Sequence, residues 1–168
     1  MTSAIGRIKQ QNDGFTLIEL ALVGVILSIL LSLSMPVFSK IYINAKLKAV
    51  TQELTGTMRY AYQSSISEGG KYKINFDLAG QRYWLQKETS PLTSPGAFSD
   101  INTSLVKPRA LPEGVVFKQV SSPALIFNPS GAGDNERIYL QNKKGEIYTI
   151  WYSGLDGQIQ VFDYEKQQ

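Results

Sequence analysis

The sequence predicts an α+β fold, with one long N-terminal helix packed on short antiparallel strands. Three observations carry this. Residues 15–38 form an apolar run holding one ionisable side chain, Glu19. Residues 40–66 place Ile43, Leu47, Val50, Leu54, Met58 and Ala61 at spacings of three and four, a single helical stripe. After Gly69-Gly70 the periodicity switches to two, among β-branched and aromatic residues.

The first 14 residues, MTSAIGRIKQQNDG, are polar and basic and end on Gly14. The run that follows would cover roughly 36 Å as a helix, enough for a hydrocarbon core of about 30 Å. Its polar side chains beyond the first turn are Ser28, Ser32 and Ser34, so a transmembrane helix half is expected over 15–38. Arg7 and Lys9 ahead of it favour a cytoplasmic N-terminus, while Lys40, Lys46 and Lys48 soon after it reduce the asymmetry. Glu19 lies one turn inside this segment. An ionisable group there is costly unless paired, which makes it a functional candidate. No Lys, Arg or His lies between Phe15 and Phe38 to meet it. The positive end of its own helix dipole is the blander partner. Pro36 removes a backbone hydrogen bond and predicts a bend, with Ser32 and Ser34 placed to satisfy freed carbonyls.

The stripe over 43–61 predicts an amphipathic helix half over 40–67 that packs on a sheet, and Gly69-Gly70 ends it. Tyr72, Ile74 and Phe76 alternate with Lys71, Lys73 and Asn75; a turn at 77–80 then leads into Arg82–Gln86, which predicts a hairpin. Residues 88–114 carry Pro91, Pro95, Pro108 and Pro112 among many Ser and Thr. They read as an irregular excursion with at most a short strand near Ile101–Val106. Further strands are predicted at Val115–Val120, Ala124–Phe127, Arg137–Gln141, Ile147–Tyr152 and Gln158–Phe162, the last three as a meander. The tail 163–168 is polar.

Composition narrows function. About 130 of the 168 residues lie beyond the apolar run, enough for a real core. The net charge of +3, without a basic run, is weak for a nucleic-acid binder. With no Cys and no His, the usual zinc sites, disulfides and Ser-His or Cys-His nucleophiles are excluded. An enzyme would have to use carboxylates, Lys or Tyr, and none forms a recognisable constellation. No catalytic residue, metal site or cofactor is therefore expected. Asp134, Asn135 and Glu136, and Asp156 between Leu155 and Gly157, lack the spacing of a calcium loop and read as turn chemistry. Tyr148, Trp151 and Tyr152 could stack a ligand, but alternation puts Trp151 opposite the two tyrosines, which favours packing. Gly131-Ala132-Gly133 lacks the Lys-Ser/Thr of a phosphate loop.

Gly14-Phe15-Thr16-Leu17-Ile18-Glu19-Leu20, with its short basic leader and apolar helix, resembles the processing motif of type IV pilins and type II secretion pseudopilins. The resemblance implies that residues 1–14 are a leader cut by a prepilin peptidase between Gly14 and Phe15, and that the new Phe15 amine is N-methylated. It implies that Glu19 and Phe15 act in filament assembly, the carboxylate of one subunit reaching the amine of its neighbour. Pro36 falls where many members carry a proline. The segment from Phe127-Asn-Pro-Ser-Gly131 through Ile138–Leu140 and Ile150 to Gly157–Ile159 is similar to the H-type minor pseudopilin and its relatives, whose domains pair two β-sheets with the helix.

The implied protein is a minor pseudopilin of a type II protein secretion system. It would be single-pass in a bacterial inner membrane, with 39–168 as a periplasmic globular domain. Its implied partners are the peptidase, other pseudopilins in a periplasmic filament and the inner-membrane assembly platform. The alternative is a minor pilin of type IV pilus biogenesis that takes part in DNA uptake. There, Gly157-Gln158-Ile159-Gln160 carries Gln where that group has Arg, which makes nucleic-acid binding unlikely.

Overall fold

The computed structural model describes residues 14–90, 92–101 and 108–164, without the side chains of 33–40. The chain divides into two compact units, Met1–Ser39 and Lys40–Gln168.

Helix α1 spans Leu17–Glu68. In the first unit its described side chains are exposed all round, from Leu17 to Leu31. Ser28 donates to the Gly24 carbonyl at 2.8 Å and Ser32 to the Ile29 carbonyl at 2.8 Å, so both hydroxyls are satisfied within the helix. Ser32 thus serves the Ile29 carbonyl rather than one freed by Pro36. The side chains of Pro36 and Ser34 lie outside the described residues.

The second unit begins with the later turns of α1. Leu47, Val50, Leu54, Met58 and Ala61 are all buried, as the stripe predicts, and Ile43 is half-buried at its start. The helix ends at Glu68, where Gly69 turns left-handed (φ 65°), a conformation that costs glycine nothing. Among the described residues nine strands follow: β1 Tyr72–Asp77, β2 Arg82–Ser90, β3 Ser94–Asp100, β4 Arg109–Ala110, β5 Val115–Val120, β6 Ala124–Phe127, β7 Glu136–Asn142, β8 Ile147–Tyr152 and β9 Ile159–Phe162. They form two sheets. One has the order β3-β2-β1-β6 with β4 on β2, the other β5-β7-β8-β9. Every pairing is antiparallel.

The inward residues of both sheets and the helix stripe share one core, which includes Tyr72, Ile74, Leu85, Phe127, Ile138, Leu140, Ile150 and Tyr152. At the seam, Phe117 of the second sheet meets Phe76 and Tyr83 of the first edge-on, with ring centres 5.8 and 6.4 Å apart. A polar clasp ties helix to hairpin. Asn44 donates to Glu146 Oε1 (3.0 Å), and buried Asn142 donates to Glu146 Oε2 (2.9 Å) and to Asn44 Oδ1 (3.2 Å).

The excursion at 88–114 is more regular than its composition suggests. β2 continues to Ser90, β3 returns along it and β4 adds two residues, while 102–107, most of the expected strand at Ile101–Val106, lie outside the described residues. Buried Glu88 anchors this arm by accepting the Gly96 N–H at 2.8 Å and the Lys71 N–H at 3.4 Å. Because β3 is an exposed edge, it tolerates Pro95 and Gly96, and so it lacks the hydrophobic alternation that marks the inner strands.

Candidate functional site

The candidate site is the start of α1. Gly14 and Phe15 precede the helix in non-helical backbone and are exposed, Phe15 at 87%. Apart from its chain neighbours, no described residue comes within 4 Å of where a Gly14 Cβ would stand. In the intact chain the Phe15 nitrogen is an uncharged amide; a cut at Gly14 would turn it into a charged amine.

Thr16 and Glu19 form a capping box. Thr16 is the N-cap, one residue before Leu17, and Glu19 is the third residue of the helix. The Thr16 N–H and its hydroxyl both donate to Glu19 Oε2, at 3.0 and 2.9 Å, while the Glu19 N–H donates to Thr16 Oγ1 at 3.3 Å. Thus Glu19 does have a partner within its own apolar run, which a search for cations alone misses. The missed residue is Thr16, and the signal for it, Thr-x-x-Glu ahead of an apolar helix, stands in the sequence. The reciprocal bonds fill donors that the first turn cannot pair internally and put the carboxylate beside the positive helix end. They leave its negative charge uncompensated by any cation among the described residues. Oε1 takes no bond among them either.

Among the described residues no helix is long and apolar enough to cross a membrane. The run read from the sequence extends over 33–38, whose side chains lie outside the described residues.

The other sequence candidates have structural partners. Glu136 is 2% exposed and accepts the Ser121 and Ser122 N–H groups at 2.7 and 3.0 Å, clamping the β5–β6 turn; burial raises its carboxyl above the ordinary value of 4.5. It is a buried backbone acceptor rather than a surface turn residue. Asn135 Oδ1 accepts the Gly154 N–H at 2.9 Å. Asp156 accepts the Gln158 N–H at 3.2 Å, and hydrogen bonds from Ser153 and Gln158 hold its carboxyl below the usual range.

Tyr152 is buried against Phe127 (ring centres 5.2 Å) and Tyr62 (6.5 Å), and Trp151 lies on the opposite face of β8. Gly157 has φ 68°, and a Cβ there would run into the Tyr62 ring, so this glycine serves packing. Gln160 donates to Gln158 at 3.3 Å.

No protein-family model matches the chain, and no curated protein matches it. Among the solved structures similar to it are two of the minor pseudopilin EpsH from the type 2 secretion system of Vibrio cholerae. One is 15% identical, with a TM-score of 0.60 over 72% of this chain and 99% of that chain. The other is 13% identical, with a TM-score of 0.59 over 74% and 98%. At this identity the likeness is one of fold: the chain has the α+β, pilin-like fold of a minor pseudopilin.

Proposed function

We propose that the protein is a minor pseudopilin, a structural subunit of the periplasmic filament of a type II secretion system, and not an enzyme. The observation that carries this reading is the pilin-like fold joined to Gly14-Phe15-Thr16-Leu17-Ile18-Glu19-Leu20 at the start of α1. Residues 1–14 act as the leader, and a prepilin peptidase cuts after Gly14. Phe15 becomes the N-methylated terminus, 15–38 hold the inner membrane with the N-terminus cytoplasmic, and 39–168 stand in the periplasm. Pro36 loosens the helix between the two halves. The assembly platform then passes the subunit to a filament of other pseudopilins.

The chemistry of assembly rests on Glu19 and Phe15. The cap satisfies one carboxylate oxygen with neutral donors, which lowers the cost of placing the group among apolar side chains but leaves its charge. The Phe15 amine of a neighbouring subunit offers the missing cation, and pairing two charges in an apolar setting offsets the desolvation of each. A subunit displaced along the filament leaves both charges unmet, so the pair reports register.

Mass spectrometry of the chain from native membranes tests processing: the expected N-terminus is methylated Phe15, and an intact Met1 terminus would sink the reading. Glu19→Ala is expected to preserve insertion and cleavage while filament incorporation falls. Unchanged incorporation rejects the pairing.

A further inference from the structure

A cavity of about 320 Å³ lies between α1 and the outer edge of the second sheet, lined by Lys48, Thr51, Gln52, Thr55, Gly56, Arg59, Tyr148 and Val161. Its floor is apolar. Tyr148 and Val161 share a sheet face with the buried Ile150, because Val161 pairs with Ile150 across β8 and β9, yet Val161 is 42% exposed. The core-facing side of the sheet therefore continues beyond what the helix covers. One wall is the helix flank, where the hydroxyls of Thr51 and Thr55 donate to the Leu47 and Thr51 carbonyls and offer no free donor outward. At Gly56 the wall recedes: an added Cβ would meet nothing within 4 Å. The other boundary is β9, which carries no further strand on its outer side among the described residues.

The groove is also charged. Lys48 and Arg59 stand at its ends, eleven residues or about 16 Å apart along the helix. Neither meets a carboxylate among the described residues, whereas Arg82, Lys87, Arg109 and Lys143 are all paired. Among the described residues no acidic side chain lines the cavity.

We propose that this groove takes an extended, acidic segment of a different protein, which adds to β9 as a further strand. An added strand advances about 3.3 Å per residue and sends alternate side chains into the groove. Acids four residues apart would reach Lys48 and Arg59, and the apolar residue midway between them would cover Tyr148 and Val161. Among the described residues a second copy of this chain lacks that pattern on its sheet edges: β3 holds one acid, and β4, β5, β6 and β9 hold none. The inference deepens the reading of the chain as a filament subunit by giving the chemistry of a neighbour, and its test does not involve leader processing.

The experiment uses the purified full chain in neutral detergent and the labelled peptide Ser-Glu-Thr-Val-Thr-Glu-Ser. Binding is expected to weaken as ionic strength rises. It should be about tenfold weaker for the Lys-for-Glu peptide and for the same peptide with alternate backbone nitrogens methylated. Lys48→Glu with Arg59→Glu should reverse the preference between the acidic and basic peptides. Equal affinity for both peptides on the natural chain overturns the proposal even if the double variant fails to fold. So does binding unaffected by backbone methylation, or self-association of the full chain that depends on Lys48 and Arg59, which would assign the groove to a second copy. Loss of peptide binding with Phe15 still processed rejects the groove alone.

Discussion

Helix α1 relates to its surroundings in two ways. Between 17 and 32 every large apolar side chain is exposed, whereas Leu47, Val50, Leu54, Met58 and Ala61 are buried to within a few per cent. The helical backbone is common to both; the difference lies in pattern. The later turns separate an apolar stripe from Lys48, Gln52, Glu53 and Arg59 and find two sheets to cover it. The early turns are apolar on all sides, and no single packed face could bury them. One region draws its stability from its own domain, while the apolar side chains of the other are left exposed.

The largest expected break in this contrast comes from the frame around the buried half. A Cβ at Gly154 would land on the backbone carbonyl of Gly133, which cannot swing aside as a side chain can, and the Gly133 N–H is itself bonded to the Gly154 carbonyl at 2.7 Å. Gly154→Ala should destabilise the domain by roughly 3 kcal/mol or more, read as a fall in thermal midpoint. Leu54→Ala, which empties a fully buried position, should cost about 2–5 kcal/mol. Leu22→Ala in the exposed half should stay within about 0.5 kcal/mol in the same melt. Equal effects of the two leucine variants would erase the distinction between the halves.

Smaller effects sharpen it. Thr16→Val removes the hydroxyl of the capping box and should raise amide exchange in the first turn of α1 by about fivefold, with Thr16→Ser restoring most of the protection. The domain melt should not move. The smallest effect is the pH dependence set by Glu136. Its folded carboxyl titrates above the ordinary 4.5, so the folded state holds the proton more tightly than the unfolded one. Its contribution to stability is complete below about 4.5 and is lost as pH rises through the raised value. Relative to Glu136→Gln, the natural chain should gain thermal midpoint as pH falls from 7 toward 4.5.

The same contrast explains what could be read from the sequence. The stripe, the Gly69 stop and the alternating strands are local patterns, and they locate the helix and most of the strands. Pairings between distant segments leave no such trace. β6 joins β1 in one sheet while β5 joins β7 in the other, a division set by the shared core rather than by any turn. Buried acids are equally silent, since Glu88 and Glu136 look like surface residues until their backbone donors are in view. At the candidate site, Gly14, Phe15 and Glu19 stand out by type and place. Thr16 is harder to read, because a short hydroxyl beside an apolar run looks incidental.

That Thr16–Glu19 bond set has a consequence for timing. It uses the Thr16 N–H, the Thr16 hydroxyl and the Glu19 carboxylate, all of which lie on the C-terminal side of the Gly14–Phe15 peptide. The helix start is complete while the preceding residues are still attached. A protease acting after Gly14 would change the charge at this end of the molecule while removing none of the groups in that bond set.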